Sequence, residues 1–381
     1  MRPLFFVASF ILSQIAFAES KSTDVETLRQ IVEINSGTSN QAGVLKVQQW
    51  FEGELSSLGF KTEIQKSNLL LAEKEGSNKK FITFLTHADT VFDPTHAFQR
   101  FDLSGDTAKG PGVIDAKGGM LVILKTLKEH LKDQKYSLRV VSSPAEETGT
   151  QGYLADLPKY AASSLLVLGF EPALDNGNIV NERRGNRWYL VKVTGKEAHA
   201  GRAHKDGRNA CVELSEKLVR IAKLTDYSKD VTVSVGRIDG GQNKFNIVCG
   251  FAEAKIDTRF STRKDRDRLH EKIMKILNST YVQGTTTAVV IDNDAPPMAK
   301  NVASAGYVKV LAKIISEKEH RTITAEKSGG ASDANYMSEP GVAIVDGLGP
   351  VGGKMHTAEE FIDLKTLETR SQALVEFLKT L

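Results

Sequence analysis

The sequence predicts an α/β protein with a mostly parallel sheet, interrupted by an inserted α+β segment. Three observations carry this. Continuous apolar runs at Phe81 to Thr86, Ser137 to Ser143 and Leu165 to Phe170 alternate with amphipathic helical stretches, the pattern of strands buried on both faces. Near Arg184 the style changes to strands that alternate apolar and polar residues, and after Pro296 and Pro297 the first style returns.

The elements follow in order. Thr23 and Glu26 form a capping-box pattern ahead of an apolar stripe of Val25, Leu28 and Val32. A second amphipathic helix is expected over Gly43 to Leu58, and a third over Ala116 to Leu131, between the first two buried strands. In the inserted part, strands are expected at Trp188 to Thr194, Val231 to Ile238, Phe245 to Thr258 and Thr286 to Ile291. Helices at Asp206 to Leu224 and Arg263 to Leu277 interleave with them, which predicts an antiparallel sheet with helices on one face. The last part reads as helices at Ala303 to Ile315 and Leu364 to Leu378 around a short strand at Val342 to Val345. The resulting domain expectation is residues 19–184 and 296–381 as one discontinuous domain, with 185–295 inserted.

The N-terminus follows another logic. Arg2 precedes an apolar run from Leu4 to Ile15, and Ala16-Phe17-Ala18 supplies small residues before Glu19. The run is too short to span a bilayer, so residues 1–18 are expected to be a cleavable signal peptide, placing the mature protein in the periplasm or outside the cell. No Cys follows that would take a lipid anchor. Across the chain, 50 basic and 47 acidic residues nearly cancel. Such balance gives no field for nucleic acid or an anionic membrane, and the expected partner is a small substrate. The basic run Arg263 to Arg268 is interleaved with Asp and reads as a solvated helix face. Cys211 and Cys249 lie in no ligand pattern, so a cysteine zinc site is excluded. Export allows them to form a disulfide, but a pair of buried thiols is the plainer expectation.

The chemistry-bearing residues cluster at strand ends. Thr86-His87-Ala88-Asp89 closes the Phe81 to Thr86 strand, where ligands of open α/β sheets gather. A carboxylate two residues from a histidine can accept its second N–H and fix the ring for a metal. Asp115 sits in a glycine-rich loop at a helix start; Glu146 and Glu147 follow the Ser137 to Ser143 strand, and Glu171 follows the next one. Any one of these acids is more often a helix N-terminal residue satisfying the dipole. Together on one sheet edge they would repel by several kcal/mol unless cations lay among them. His356, in a flexible loop near the C-terminus, adds a second nitrogen. Two histidines and three carboxylates, one bridging, suit two zinc ions about 3.5 Å apart. Of the adjacent Glu146 and Glu147, one can bind metal while the other takes a proton from the attacking water and passes it to a leaving amine.

With these residues in place, the sequence resembles the zinc amidohydrolase family that includes glutamate carboxypeptidase, acetylornithine deacetylase, succinyl-diaminopimelate desuccinylase and aminoacylase. The likeness rests, in family order, on THADT, GPGVIDAKGG, SPAEETG, GFEPA, GKEAHAGRAHKDGRNA, SGGASDANY and GGKMHTAEEF, and is greatest to glutamate carboxypeptidase-like members.

The resemblance implies that His87 and Glu171 hold one zinc, Glu147 and His356 the other, and that Asp115 bridges them. It assigns Asp89 to orient His87 and Glu146 as the base. It makes the inserted domain a lid that forms a homodimer, with His199 reaching the partner's site to stabilise the oxyanion. Asn246, Arg259 and Gly330 match substrate-binding positions, Arg259 being suited to grip a carboxylate in a bidentate manner. Two departures stand out: Cys249 replaces the usual Pro of the lid motif, and an Arg found in some glutamate carboxypeptidases near Pro296 is absent. The implied activity is release of a C-terminal, acidic amino acid. N-acyl amino acid deacylation or dipeptide cleavage is the alternative, and a non-catalytic amino-acid-binding protein is disfavoured because every ligand and the base are present.

Overall fold

The computed structural model describes residues 23–149 and 152–381. The expected signal peptide, residues 1–18, lies outside the described residues. Contacts divide the chain into two compact units. The first comprises the described part of Met1–Asn181 with Asn301–Glu326 and Glu339–Leu381, and the second Glu182–Lys300 with Lys327–Ser338.

The first unit is built on a six-stranded sheet in the order 61–64, 70–74, 136–143, 78–87, 164–169 and 343–345. The last four run parallel, and the first two form an antiparallel hairpin at the edge. The mostly parallel expectation holds. Strand Asn78–His87 is central, so its C-terminal half is fully buried and needs an unbroken apolar run. Helix 23–32 buries Leu28, Ile31 and Val32, and helix Gln41–Ser57 buries Val44, Val47, Phe51 and Leu55 against the same core. Asn40 caps the second of these by accepting the Gly43 N–H at 3.2 Å. Helix Gly118–His130 is apolar on nearly every side because it lies between the sheet and the C-terminal helix Lys365–Lys379.

A second, four-stranded sheet in this unit has no counterpart in the sequence reading. It joins Gly352–Gly353, Phe361–Asp363, Thr107–Lys109 and Asp102–Ser104 in that order. Its strands hold two or three residues, too few for a period to show.

The second unit contains an antiparallel sheet in the order Thr232–Gly240, Phe251–Phe260, Gly185–Thr194 and Thr286–Ala295. Helices Ala210–Ala222 and Arg263–Leu277 bury Leu214, Leu218, Ile221, Leu269, Ile273 and Leu277 against one face. Asn209 and Thr262 cap the two helices by accepting the N–H groups of Val212 and Asp265. Three expectations need correction. Residues 245–250 are not strand, because Asn246 and Val248 exchange backbone hydrogen bonds with Ala200 and Ala198 instead of with a sheet neighbour. Residues 327–338, expected in the discontinuous domain, group with the second unit. There Asn335 donates to the Arg184 and Pro296 carbonyls at 3.0 and 2.7 Å, and Arg183 donates to the Gly330 carbonyl. Finally, Cys211 and Cys249 are not buried thiols: both are half-buried and joined in a disulfide with Cα atoms 5.7 Å apart.

Candidate metal centre

Three of the ligand candidates stand at or shortly after the end of a strand of the six-stranded sheet. His87 is the last residue of its strand, fully buried, with Ala88 anchored to the neighbouring strand by donation to the Ser143 carbonyl at 2.8 Å. Glu171 follows strand Ser164–Gly169 by one residue, and the Phe170 N–H donates to Leu85. Glu146 and Glu147 open the single turn Glu146–Thr148 after strand Tyr136–Ser143.

Asp115 lies in the loop ahead of helix Gly118–His130, and its peptide bond to Ala116 is cis. Two glycines make the loop's close approaches possible. Gly112 has φ 74°, and a Cβ there would stand 2.4 Å from Thr90 Cγ2; a Cβ on Gly119 would stand 2.4 Å from the Phe170 carbonyl oxygen. The lack of a Cβ at Gly119 lets the helix that follows the Asp115 loop lie close against Phe170, next to Glu171. Lys117, fully buried, fastens the loop from the other side by donating to the Ile34 carbonyl at 2.9 Å, and its burial lowers the ammonium pKa to about 7 against the opposing pull of Glu360.

His356 reaches the same point through the small sheet, whose strands Gly352–Gly353 and Phe361–Asp363 flank it and pair onward to Thr107–Lys109. Its backbone sits in the left-handed region at φ 64°, a conformation non-glycine residues seldom adopt.

These elements bring the five ligand candidates into two clusters that share Asp115. In one, His87 Nε2 lies 2.9 Å from Asp115 Oδ1 and 3.8 Å from Glu171 Oε1. In the other, His356 Nε2 lies 3.2 Å from both Asp115 Oδ2 and Glu147 Oε2. Within each cluster the donor atoms lie within 4.8 Å of one another, as the ligands of a single cation must. His87 Nδ1 faces the Asp89 carbonyl at 3.1 Å and carboxylate at 3.2 Å, which places the ring proton on Nδ1 and the lone pair of Nε2 toward the cluster.

The electrostatics describe a site short of positive charge. Burial alone would lower the His87 pKa, but hydrogen bonds to Asp115 and Asp89 and the Glu171 charge raise it well above the ordinary value. Asp115 and Glu147 push His356 up to about 10 against burial. Burial favours the neutral acid at Asp115, yet the two histidines outweigh it and hold the carboxyl far below its usual range. Burial and the Asp115 charge raise Glu147, whose Oε1 is buried with no hydrogen-bond partner among the described residues. Protons drawn onto both rings and an orphaned carboxylate oxygen are what a cation would replace and satisfy. The donor set fits a metal.

Two positions next to the clusters escaped the sequence reading. Glu360, buried, accepts the Ile114 N–H at 3.1 Å and the Asp115 N–H at 3.5 Å; burial and the Asp115 charge push its carboxyl up to about 8. Thr38 donates its hydroxyl to Asp89 Oδ2 at 2.6 Å. The first lies inside the GGKMHTAEEF motif as an unexceptional acid, and the second carries no signal at all.

The remaining candidates belong to the second unit. His199 is exposed, and its Nδ1 accepts the N–H groups of Gly201 and Arg202 at 3.1 and 3.2 Å. With Nδ1 an acceptor, the neutral ring carries its proton on Nε2, facing outward as a donor. The isolated bridge between His199 and Ile247 brings the His199 and Asn246 segments together. Arg259 is held at Nε by Asp257, which also accepts the Trp188 indole N–H at 3.1 Å; its two terminal nitrogens have no partner among the described residues. Gly330 is exposed, and a Cβ there would stand 3.9 Å from Ser328 Oγ, an ordinary contact.

A family model described as peptidase family M20/M25/M40 matches residues 83–380. Carboxypeptidase G2 of Pseudomonas sp. (strain RS-16) is 28% identical over 375 residues, covering 94% of this chain and 89% of the relative. Succinyl-diaminopimelate desuccinylase of Beijerinckia indica is 24% identical over 93% of this chain and 98% of its own. Among solved structures, an M20 family metallo-carboxypeptidase from Sulfolobus solfataricus superposes with a TM-score of 0.78 at 18% identity, over 93% of this chain and 98% of that one.

Proposed function

We propose, from the premise that this chain belongs to peptidase family M20/M25/M40, that it is a two-zinc exopeptidase releasing a C-terminal, acidic amino acid from a peptide or N-acyl conjugate. That it is a hydrolase of amide bonds follows from the family and from relatives along nearly its whole length. The two-zinc part of the reading is carried by one observation: the Asp115 carboxylate, one oxygen to each histidine, joins two clusters of cation-ligand geometry.

His87 and Glu171 would hold one ion, Glu147 and His356 the other, and Asp115 both. Zinc ions bound there would act as Lewis acids toward the scissile carbonyl and the attacking water. Glu146, adjacent in sequence to a ligand, takes the water's proton and delivers it to the leaving amine. Asp89 fixes the His87 ring. In the second unit, His199 offers an Nε2 donor of the kind that stabilises a tetrahedral oxyanion, and Arg259 offers two unpartnered nitrogens to a substrate carboxylate, with Asn246 and the Gly330 backbone beside the same role. The second unit, residues 185–295 in the sequence reading, is proposed as the lid and the homodimer contact. Residues 1–18 support export to the periplasm or beyond; among the described residues, no helix is long and apolar enough to cross a membrane.

The relatedness to succinyl-diaminopimelate desuccinylases favours a second reading, removal of an N-acyl group from an amino acid by the same chemistry. A panel of peptides and acyl amino acids varied only at the C-terminal residue decides between them: no preference for C-terminal glutamate or aspartate rejects the carboxypeptidase reading. Metal analysis tests the centre itself. Fewer than one tightly held ion per chain overturns the two-zinc mechanism, and a Glu146→Ala variant that turns over normally removes Glu146 as the base.

A further inference from the structure

The Asp89 carboxylate is fully buried and has four donors around it. Oδ1 faces His87 Nδ1 at 3.2 Å and accepts the Glu146 N–H at 3.0 Å. Oδ2 accepts the Glu147 N–H at 3.3 Å and the Thr38 hydroxyl at 2.6 Å. One side chain therefore ties together a metal-ligand ring, the backbone of the base and the backbone of a second ligand.

The four contacts are unequal. A hydroxyl donating to a carboxylate at this distance is a charge-assisted bond of the strong class, whereas the Glu147 amide at 3.3 Å lies beyond the usual range for N–H donors. Without the Thr38 hydroxyl, Oδ2 keeps only that long contact while Oδ1 keeps two. The Asp terminal torsion is soft, so the carboxylate would turn toward the Oδ1 donors and loosen its hold on the turn that carries the base. Thr38 is itself fixed: its N–H donates to the Thr90 carbonyl at 3.0 Å, and the Thr90 N–H donates to Ser36 at 2.9 Å, which staples 36–38 beside the segment that carries Asp89. From this geometry we infer that Thr38 is a positioning residue for the reaction: its hydroxyl locks the Asp89 carboxylate so that both oxygens stay on the Glu146–Glu147 turn, setting the base relative to the metal ligands.

The inference rests on the reading of Glu146 as base, and the experiment separates the two. Wild type, Thr38→Val, Thr38→Ala and Thr38→Ser are compared for kcat, KM, metal content and hydrogen exchange at the Glu146 and Glu147 amides. Expected for Thr38→Val is a kcat lower on the order of 10–100-fold, as for loss of an outer partner of a metal ligand, with KM and metal content nearly unchanged and faster exchange at both amides. Thr38→Ser should restore kcat and exchange, because it keeps the hydroxyl. Should Thr38→Val not fold, Thr38→Ala carries the same expectation without placing an added methyl group beside the Asp89 carboxylate. Wild-type kcat and unchanged exchange in the Val or Ala variant would overturn the role. So would a Ser variant as impaired as Val, which points to side-chain packing at residue 38 and not to the hydroxyl, or metal loss that accounts for the whole fall in turnover, which points to His87 alone. Hydrogen exchange reads the lock without turnover, so a wild type that hydrolyses nothing in the panel defeats the proposed function and leaves this test standing.

Discussion

His356 and Asp115 meet at 3.2 Å, Nε2 to Oδ2, although 241 positions separate them in sequence. The same Asp115 carboxylate meets His87 through its other oxygen at 2.9 Å. The sharing makes the two ligands unequal. His356→Ala should cost one ion and leave the His87 cluster able to hold the other, while Asp115→Ala removes a donor from both and should cost both ions. Metal analysis of the two purified variants checks this, and activity should fall at least about 100-fold in each, the upper end of the cost of disturbing a ligand's supporting shell.

The pH dependence follows from the two histidines. Asp115 and Glu147 push His356 from 6.5 up to about 10, so in metal-free protein its contribution to stability is fully present below about pH 6.5 and is lost as pH rises through about 10. Metal requires the neutral rings, so binding expels protons and strengthens over the same interval. The rise in melting temperature on adding zinc to EDTA-treated protein should therefore be larger at about pH 8 than at about pH 6, by calorimetry in matched buffers. An equal shift at both values contradicts the assignment.

Asp257 takes the Nε edge of Arg259 and leaves its terminal nitrogens without a partner among the described residues. Arg259→Ala should raise KM for substrates with a free C-terminal carboxylate by about 10–150-fold, the equivalent of a 1.5–3 kcal/mol charged hydrogen bond. An amidated substrate should be insensitive to the same change. Steady-state kinetics on the matched pair checks both statements.

The Cys211–Cys249 bridge closes a segment of 38 positions in the second unit. Loop-closure entropy for that length gives about 3–4 kcal/mol, so a Cys211→Ser/Cys249→Ser variant should unfold at lower denaturant by that amount. Reductant should shift wild type toward the variant and leave the variant where it is, by equilibrium unfolding with and without reductant.

What the sequence made legible were the strand ends. Apolar runs stop at Thr86, Ser143 and Phe170, and His87, Glu147 and Glu171 stand within four positions of those ends, so the runs pointed to where the donor groups gather, while their division into two clusters came from the resemblance. The route taken by His356 was not legible, because strands of two or three residues such as Gly352–Gly353 carry no alternation. Residues 245–250 read as strand from composition, yet their hydrogen bonds go to the His199 segment, a long-range choice that no local pattern encodes. Glu360 and Thr38 act on a backbone N–H and on a carboxylate of another residue, and such contacts leave no mark on residue type. The half-buried Cys211 and Cys249 show the same limit from another side: spacing says nothing of distance in space.

The small sheet that delivers His356 also sets an order of events as the chain is made. His87, Asp115, Glu147 and Glu171 all precede residue 172, but the strand pairing that brings in His356 needs residues 352–363 to lie against 102–109. A nascent chain carries one complete cluster long before it can close the other. Under the two-zinc proposal, loading of the second ion would be deferred until residues 352–363 have been made, and a product truncated before them would be left with one cluster.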